Sequence, residues 1–423
     1  MVKKFLEQLH NRLGDFWWYS LMIFLASRLA DSLNVFVGLY LVPKYVSPAE
    51  LGAVQPLTGF ANIFTIPAIA FASTFRQELT NLAERGEFGK MKSLMRSVFI
   101  TTAILFATAM IISRFILPSY LSIIRVAEGS LGLLILATSF ISAISPTYTN
   151  ALQSLKKFKA ISLINMLSAP VRLIAMVVTM PLRALSGYFV GQGSTPAFQI
   201  FIALFALRKE LKIKAERYWS REIIGRLSLI FVAFTLLASV QSMTYLFEST
   251  VIRSRLPEVE SAAYYMITRF SEIAAFIFSA LSITIFPFAA EAAAKGRSTL
   301  PIVLKSWGAI AVVNGIIALF FVFFGELILE LLPYGEAYAQ FHRAIPWSIG
   351  IVSLGHMTST YICAETAANR FKFLWWFAPL SALYVFGIGF ASIPSIYTML
   401  IWMSGFAFLK LVCCFVAISV RKA

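Results

Sequence analysis

Apolar residues fill this chain in blocks about 20 residues long, separated by short polar stretches, and within a block they occupy every helical face. A block of that length crosses the hydrocarbon core of a bilayer as an α-helix. The pattern predicts helices near 18–42, 51–75, 97–117, 129–151, 160–181, 185–207, 227–251, 262–289, 302–325, 344–366, 372–392 and 395–418. The expected fold class is all-α: a polytopic membrane protein with about 12 transmembrane helices.

Composition agrees. The 423 residues are 59% hydrophobic and 13% charged, whereas a soluble domain carries roughly a quarter charged residues. Charges up to Asp15 interrupt the N-terminal stretch, so it does not read as a cleaved leader. Cys363, Cys413 and Cys414 lie in apolar segments and form neither metal-ligand spacing nor a disulfide framework.

A net charge of +16 would suggest nucleic acid in a soluble protein. Here alternate loops hold the basic residues. One side carries Lys3, Lys4 and Arg12, then Arg76 to Arg96, Lys156 to Lys159, the dense run Arg208 to Arg226, and Lys295 to Lys305. The other side has scattered cations such as Lys44, Arg125, Arg253, Arg255 and Arg343. That bias predicts cytoplasmic N- and C-termini. It makes the basic loops a topology signal aided by membrane lipids, with no nucleic-acid partner needed.

The chain also repeats itself. The stretch from Ser47 to Ser97 parallels that from Pro257 to Ser306, setting Glu50 on Glu260 and Gly86 on Gly296. Further on, Thr147-Tyr148 and Phe158-Lys159 meet Thr360-Tyr361 and Phe371-Lys372. A parallel six-helix repeat predicts two pseudo-symmetric bundles, 1–207 and 227–423, joined by a cytoplasmic linker at 208–226 and enclosing a central cavity.

Within the predicted helices stand Arg28, Arg172, Arg269 and Lys410, with Asp31, Glu248, Glu272 and Glu365. A lipid-facing charge at mid-bilayer costs about 2.5–3.5 kcal/mol on the insertion scale, so such groups face the bundle interior or a wet cavity. Arg28 and Asp31 are three apart and share one face of the first helix, which Ser27, Asn34 and Gly38 extend. Arg269 and Glu272 repeat the spacing on the eighth helix, with Tyr265 one turn before them, and Arg172 adds a cation midway along the fifth. Both acid–base pairs also suit a purely structural role, as neutralised helix contacts. Lys410 reads as a snorkelling residue, Glu248 and Glu365 as helix-end acids, and His356 as a polar bundle histidine.

An arginine fork matches phosphate geometry and stays charged at any relevant pH. Arg28, Arg269 and Arg172 are therefore expected to line a cavity for an anionic head group such as a lipid pyrophosphate, with Asn34, Tyr265 and His356 as its polar lining. Asp31 and Glu272 suit either a coupling proton or sodium ion, or tempering of the positive field. No organic cofactor and no metal site is expected.

The segment "LYLVPKYVSPAELGAVQPLTGF", the loop "AERGEFGKMKSLMRS", the "LQSLKKFKAIS" turn and the basic middle linker resemble polysaccharide-export flippases of the multidrug/oligosaccharidyl-lipid/polysaccharide exporter superfamily. The resemblance covers essentially the whole chain. It implies a two-lobed, non-enzymatic transporter in the plasma (inner) membrane of a prokaryote, moving a polyprenyl-pyrophosphate-linked glycan by alternating access. A polymerase and other polysaccharide-assembly proteins are the implied partners. In relatives, arginines of the first and eighth helices meet the pyrophosphate, which places Arg28 and Arg269 in that role. The predicted second helix, 51–75, lacks the cavity arginine of the peptidoglycan-precursor branch, so the resemblance favours an O-antigen or exopolysaccharide repeat unit.

Two other classes compete. A drug/cation antiporter of the same superfamily calls for a cavity dominated by carboxylates and aromatics. A membrane-embedded glycan polymerase or ligase calls for acidic or histidine residues converging at the surface. For that role the outward loops offer Glu50, and Glu326, Glu330, Glu336 and His342.

Overall fold

The computed structural model describes residue 25 and residues 28–127, 130–216, 218, 221–368 and 370–420. Outside them fall the chain through residue 24, Ser27, and the C-terminal Arg421 and Lys422. The described chain is helical throughout. α1 covers 28–45 and α2 Val54–Glu84; α3 is Phe88–Ile123 and α4 Ser130–Ser154. A continuous Phe158–Ala206 helix breaks at Arg183 and Ala184, whose backbone angles are not helical, into α5 (158–182) and α6 (185–206). Then come α7 (Arg221–Arg255), α8 (Glu258–Ala294), α9 (Leu300–Glu330), α10 (Ala344–Ala367), α11 (Leu374–Phe390) and α12 (Ile396–Val420). Seven described segments are long and apolar enough to cross a membrane, with α5 and α6 counted together as one of them.

Several helices outrun their apolar blocks. α3 begins at Phe88, nine residues before the predicted 97, because Lys90, Lys92 and Arg96 ride on a helix whose other face buries Met91, Leu94 and Met95. Hydropathy marks where a helix crosses lipid; amphipathic packing decides where it stops.

Helix ends follow local chemistry. Before α2, Ser47 caps the turn Pro48–Leu51 by accepting from the Glu50 amide, while the Glu50 carboxylate takes the Ser47 amide in return. α2 and α8 both end on a left-handed glycine, Gly86 at φ 69° and Gly296 at φ 66°. At each end the glycine amide reaches back three residues and the next amide five: Glu87 to Leu82, Arg297 to Ala292. The ends of α4 and α10 match likewise, with Lys157 donating to the Leu152 carbonyl and Arg370 to that of Glu365. The aligned repeat positions thus share their turn geometry. The hairpin between α5 and α6 needs Gly187, where a Cβ would stand 2.6 Å from the backbone of Thr179 and Met180.

The chain forms two compact units. The first takes residues 1–37, 60–122 and 127–239; the second takes 38–59, 123–126 and 240–423. Their borders fall inside α1, α2, α3 and α7 and in the turn after α3.

In the first unit, Phe75, Leu79, Met91, Leu94, Leu152, Ile164 and Leu207 form a buried core at the basic-loop ends of α2 to α6. The linker is strapped to that end. Lys92 donates to the Leu211 and Ile213 carbonyls, Lys157 bonds Glu210, and Tyr218 enters the core.

In the second unit α10 is the hub, packed on α8, α9 and α12. Its polar groups pair with their neighbours: Ser348 with Ser271 at 2.7 Å, Ser353 with Asn314 at 2.9 Å. The arginines on the sparsely basic side are spent on backbone. Arg253, 1% exposed, donates to the Ile124 carbonyl, Arg125 to that of Ser254, and Arg255 to those of Ile388 and Ala391.

Candidate functional site

Polar residues spaced three, four and seven apart in an apolar helix draw a stripe along one face. α4 carries Ser142, Ser145, Thr149 and Gln153; α6 carries Gln192, Thr195 and Gln199. In the first unit these stripes, with Asn150, face Arg172 from α5 and Arg76 from α2 around a cavity of about 450 Å³. The Arg172 guanidinium approaches the Gln192 side-chain carbonyl at 3.5 Å, and the Gln192 amide donates to the Tyr188 hydroxyl at 2.7 Å. Ser145 donates to Gln199 at 2.7 Å, and Asn150 to the Ala72 carbonyl at 3.0 Å. Among the described residues the lining includes two arginines and no acid. Such a wall suits an anion, with amides and hydroxyls to satisfy further polar groups.

Arg76 corrects one sequence expectation. It was counted with the loop cations, yet α2 continues to Glu84, so Arg76 is helical and lines this cavity. The second helix therefore does carry a cavity arginine, and the contrast with the peptidoglycan-precursor branch drawn from the sequence no longer holds.

The two spaced pairs form as the sequence indicates. In the first unit Arg28 meets Asp31 at 3.1 Å, both partly exposed, with Asn34 half-buried one turn on. In the second unit Arg269 bonds Glu272, and its guanidinium stacks 4.8 Å from the centre of the buried Tyr265 ring. Its aliphatic stem lies against Gly38, in the π turn Val37–Leu41 of α1, where a Cβ would come within 2.6 Å. Gln55 of α2 bonds Thr268 beside it. Each arginine is thus held by a carboxylate on its own helix, which tempers its charge without abolishing it.

His356 sits elsewhere. It lines a second cavity, about 310 Å³, formed within the second unit by α7, α10, α11 and α12. Gln241, Thr244, Tyr245 and Glu248 make a polar stripe on α7; Gly355, His356 and Ser359 face it from α10. Lys410 completes the wall from α12, its ammonium 4.0 Å from the centre of the Phe406 ring. The His356 ring stacks on Phe278 at 4.6 Å. Sequence reasoning left Glu248 as a helix-end acid and Lys410 as a snorkelling base. The structure places both on one cavity, where each other's charge attracts them.

The outward acids offered for surface catalysis have other occupations. Glu50 belongs to the capping box, and Glu326, largely exposed, stands 4.0 Å from His342. Among the described residues no cluster of three or more histidine, cysteine or acidic residues is arranged to hold a metal.

No protein-family model matches the sequence, and no curated protein matches it. Solved structures do. An inward-facing multidrug resistance MATE family transporter of the MOP superfamily aligns over 94% of this chain and 95% of its own, with a TM-score of 0.68 and 15% identity. The lipid II flippase MurJ, in an inward closed conformation, aligns over 95% and 87%, with a TM-score of 0.64 and 11% identity. A MOP superfamily transporter from Pyrococcus furiosus, described as having a binding pocket of reverse polarity that suggests a different function, aligns over 95% and 94%, with a TM-score of 0.59 and 15% identity. At these identities the likeness establishes the fold: this chain is built on the twelve-helix plan of the MATE and MurJ transporters.

Proposed function

We propose that the chain is a flippase that moves a polyprenyl-pyrophosphate-linked glycan across the plasma membrane by alternating access. The observation that carries this reading is the first unit's cavity, with Arg76 and Arg172 among amides and hydroxyls and, among the described residues, no carboxylate on its wall. Guanidiniums recognise a pyrophosphate, and the side chains of Asn150, Gln153, Gln192 and Gln199 match the alternating donors and acceptors of a glycan. Arg28, with Asn34 as a polar neighbour, and Arg269, with Tyr265, each add positive field within their own unit, tempered by a carboxylate. The likeness to the lipid II flippase MurJ supports lipid-linked cargo.

Export of an organic cation is the second reading, and Glu248 beside Phe377 and Phe406 favours it. Lys410 on the same wall weakens it, because a cationic drug would meet a resident cation. The test is translocation of a polyprenyl-pyrophosphate oligosaccharide in proteoliposomes. Arg76→Ala with Arg172→Ala is expected to slow flipping at least tenfold, the equivalent of about 1.4 kcal/mol. Flipping at the wild-type rate, or expulsion of organic cations by a protein that moves no lipid-linked glycan, would overturn the reading.

A further inference from the structure

The second unit's cavity sets opposite charges on one wall. Among the described residues that line it, Glu248 from α7 is the one carboxylate and Lys410 from α12 the one full cation. An anion entering the space meets a carboxylate, and a cation meets an ammonium, so neither enters unopposed. A neutral polar ligand escapes both penalties. The volume of about 310 Å³ lies at the small end of ligand pockets, which run from roughly 300 to 1,000 Å³. It suits one small ring rather than a chain.

The polar groups of the wall say which neutral ligand. Thr244 donates its hydroxyl hydrogen to the Val240 carbonyl, Thr358 to that of Leu354 and Ser381 to that of Phe377. Each hydroxyl has spent its one hydrogen on its own helix and keeps lone pairs to accept with. The Glu248 carboxylate also accepts, while Lys410 and the Gln241 amide supply donors. The His356 ring lies flat on Phe278 at 4.6 Å, yet its Nδ1 is buried and meets no hydrogen-bond partner. Such a nitrogen is costly to leave unpaired, and a bound hydroxyl would satisfy it. Hydroxyl groups donate and accept at once, so a ligand rich in them matches this mixture. Phe377, Phe406 and the Tyr245 ring form the apolar part of the wall. A sugar ring presents both aspects, hydroxyls at its edge and C–H faces that lie against aromatic rings. Gly355 keeps the space open: it lines the cavity from α10, and a Cβ there would meet no packed neighbour within 4 Å.

We infer that the second unit's cavity is a binding site for a neutral sugar ring. Its hydroxyls are held by Glu248, Lys410 and the His356 Nδ1, with a C–H face on the aromatic wall. Recognition here needs no phosphate, which sets this site apart from the arginine–amide wall of the first unit and goes beyond the flippase reading.

Saturation-transfer NMR on the purified full-length protein tests this, in an amine-oxide detergent that carries no sugar head group. The probes are methyl glycosides of glucose, galactose, mannose and N-acetylglucosamine, each beside its uronic acid and amino-sugar counterparts, with alanine as a zwitterion. One or more neutral glycosides are expected to bind saturably, roughly tenfold tighter than their charged counterparts and than alanine. Gly355→Leu fills the space and His356→Phe removes the unpaired nitrogen, and each is expected to weaken that binding roughly tenfold. Gly350→Leu, at an exposed position of α10 outside the cavity wall, should leave it unchanged. If Gly355→Leu does not fold, as judged by its melting curve, His356→Phe carries the test. The proposal is overturned if no neutral glycoside binds saturably, if a charged probe or alanine binds tighter, or if the folded variants bind like the wild type. Sugar binding by a protein that flips no lipid-linked glycan would leave this site standing and strike the flippase reading. Flipping without sugar binding would do the reverse.

Discussion

The two cavities, one in each compact unit, are built by the same device and filled with opposite chemistry. Each is walled by polar stripes at helical spacing, Ser142 to Gln153 on α4 in the first unit and Gln241 to Glu248 on α7 in the second. The first unit sets two fixed positive charges among neutral amides. The second sets one carboxylate against one ammonium, with an imidazole on the same wall. Fixed guanidiniums recognise an anion at any pH, whereas Glu, Lys and His are the residue types that change protonation when their surroundings change. A repeated helical frame thus carries an arginine–amide wall in one half and a Glu–Lys–His wall in the other.

The largest effect expected from breaking this contrast comes from reversing a charge in the first cavity. Arg172→Glu places a carboxylate against the anion and removes a charged hydrogen-bond donor. Affinity for polyprenyl pyrophosphate, read by microscale thermophoresis, is expected to fall roughly 100-fold, or about 2.7 kcal/mol. Wild-type affinity in this variant would show that the arginine–amide wall is not the anion site, and the contrast between the cavities would lose its meaning.

A smaller effect of opposite sign is expected at the arginine pairs. Asp31→Asn and Glu272→Gln remove the tempering carboxylates and leave Arg28 and Arg269 with their full field. If the pairs serve to moderate that field, apparent affinity for the lipid-linked substrate should rise about threefold at low salt and approach the wild-type value at high salt. A tenfold loss instead would mean that the carboxylates orient the guanidiniums, and the pairs would then be positioning devices.

How much of this was legible beforehand divides along physical lines. The twelve apolar blocks were plain because a bilayer demands about 20 apolar residues per crossing. The repeat matched Gly86 with Gly296 and Glu50 with Glu260, but the left-handed helix ends and the capping box at those positions emerge only from the backbone. The ion pairs could be read because spacing along one helix fixes which residues meet. The cavities could not. Arg76 stands just past an apolar block that the helix itself ignores. Glu248 and Lys410 lie 162 positions apart, and only the cavity that both line shows that they share a space. The stripes on α4, α6 and α7 were the available signal: each is a polar line in a helix that has no need of one unless it faces something wet.

The smallest expected effect calibrates the rest. Lys295 bonds Glu291 one turn away at the basic-loop end of α8, with both side chains more than half exposed. The lysine ammonium, by hydrogen bond and then by charge, holds the Glu291 carboxylate below its ordinary value. A carboxyl depressed in the folded state contributes stability above its unfolded value and loses it as pH falls through the folded one. Lys295→Ala should therefore lower the melting temperature only slightly at neutral pH, and the gap to the wild type should close under acid conditions. Water and salt screen an exposed pair of this kind, so its removal is close to silent. Arg269→Ala leaves Glu272 without the partner that tempers it inside a membrane-spanning helix, and the loss should be plainly larger at neutral pH. Melting curves of both variants across the same pH range make the check. Equal losses would mean that the Arg269–Glu272 pair is as well solvated as the surface one, and Arg269 would then have no claim to a charged path through the membrane.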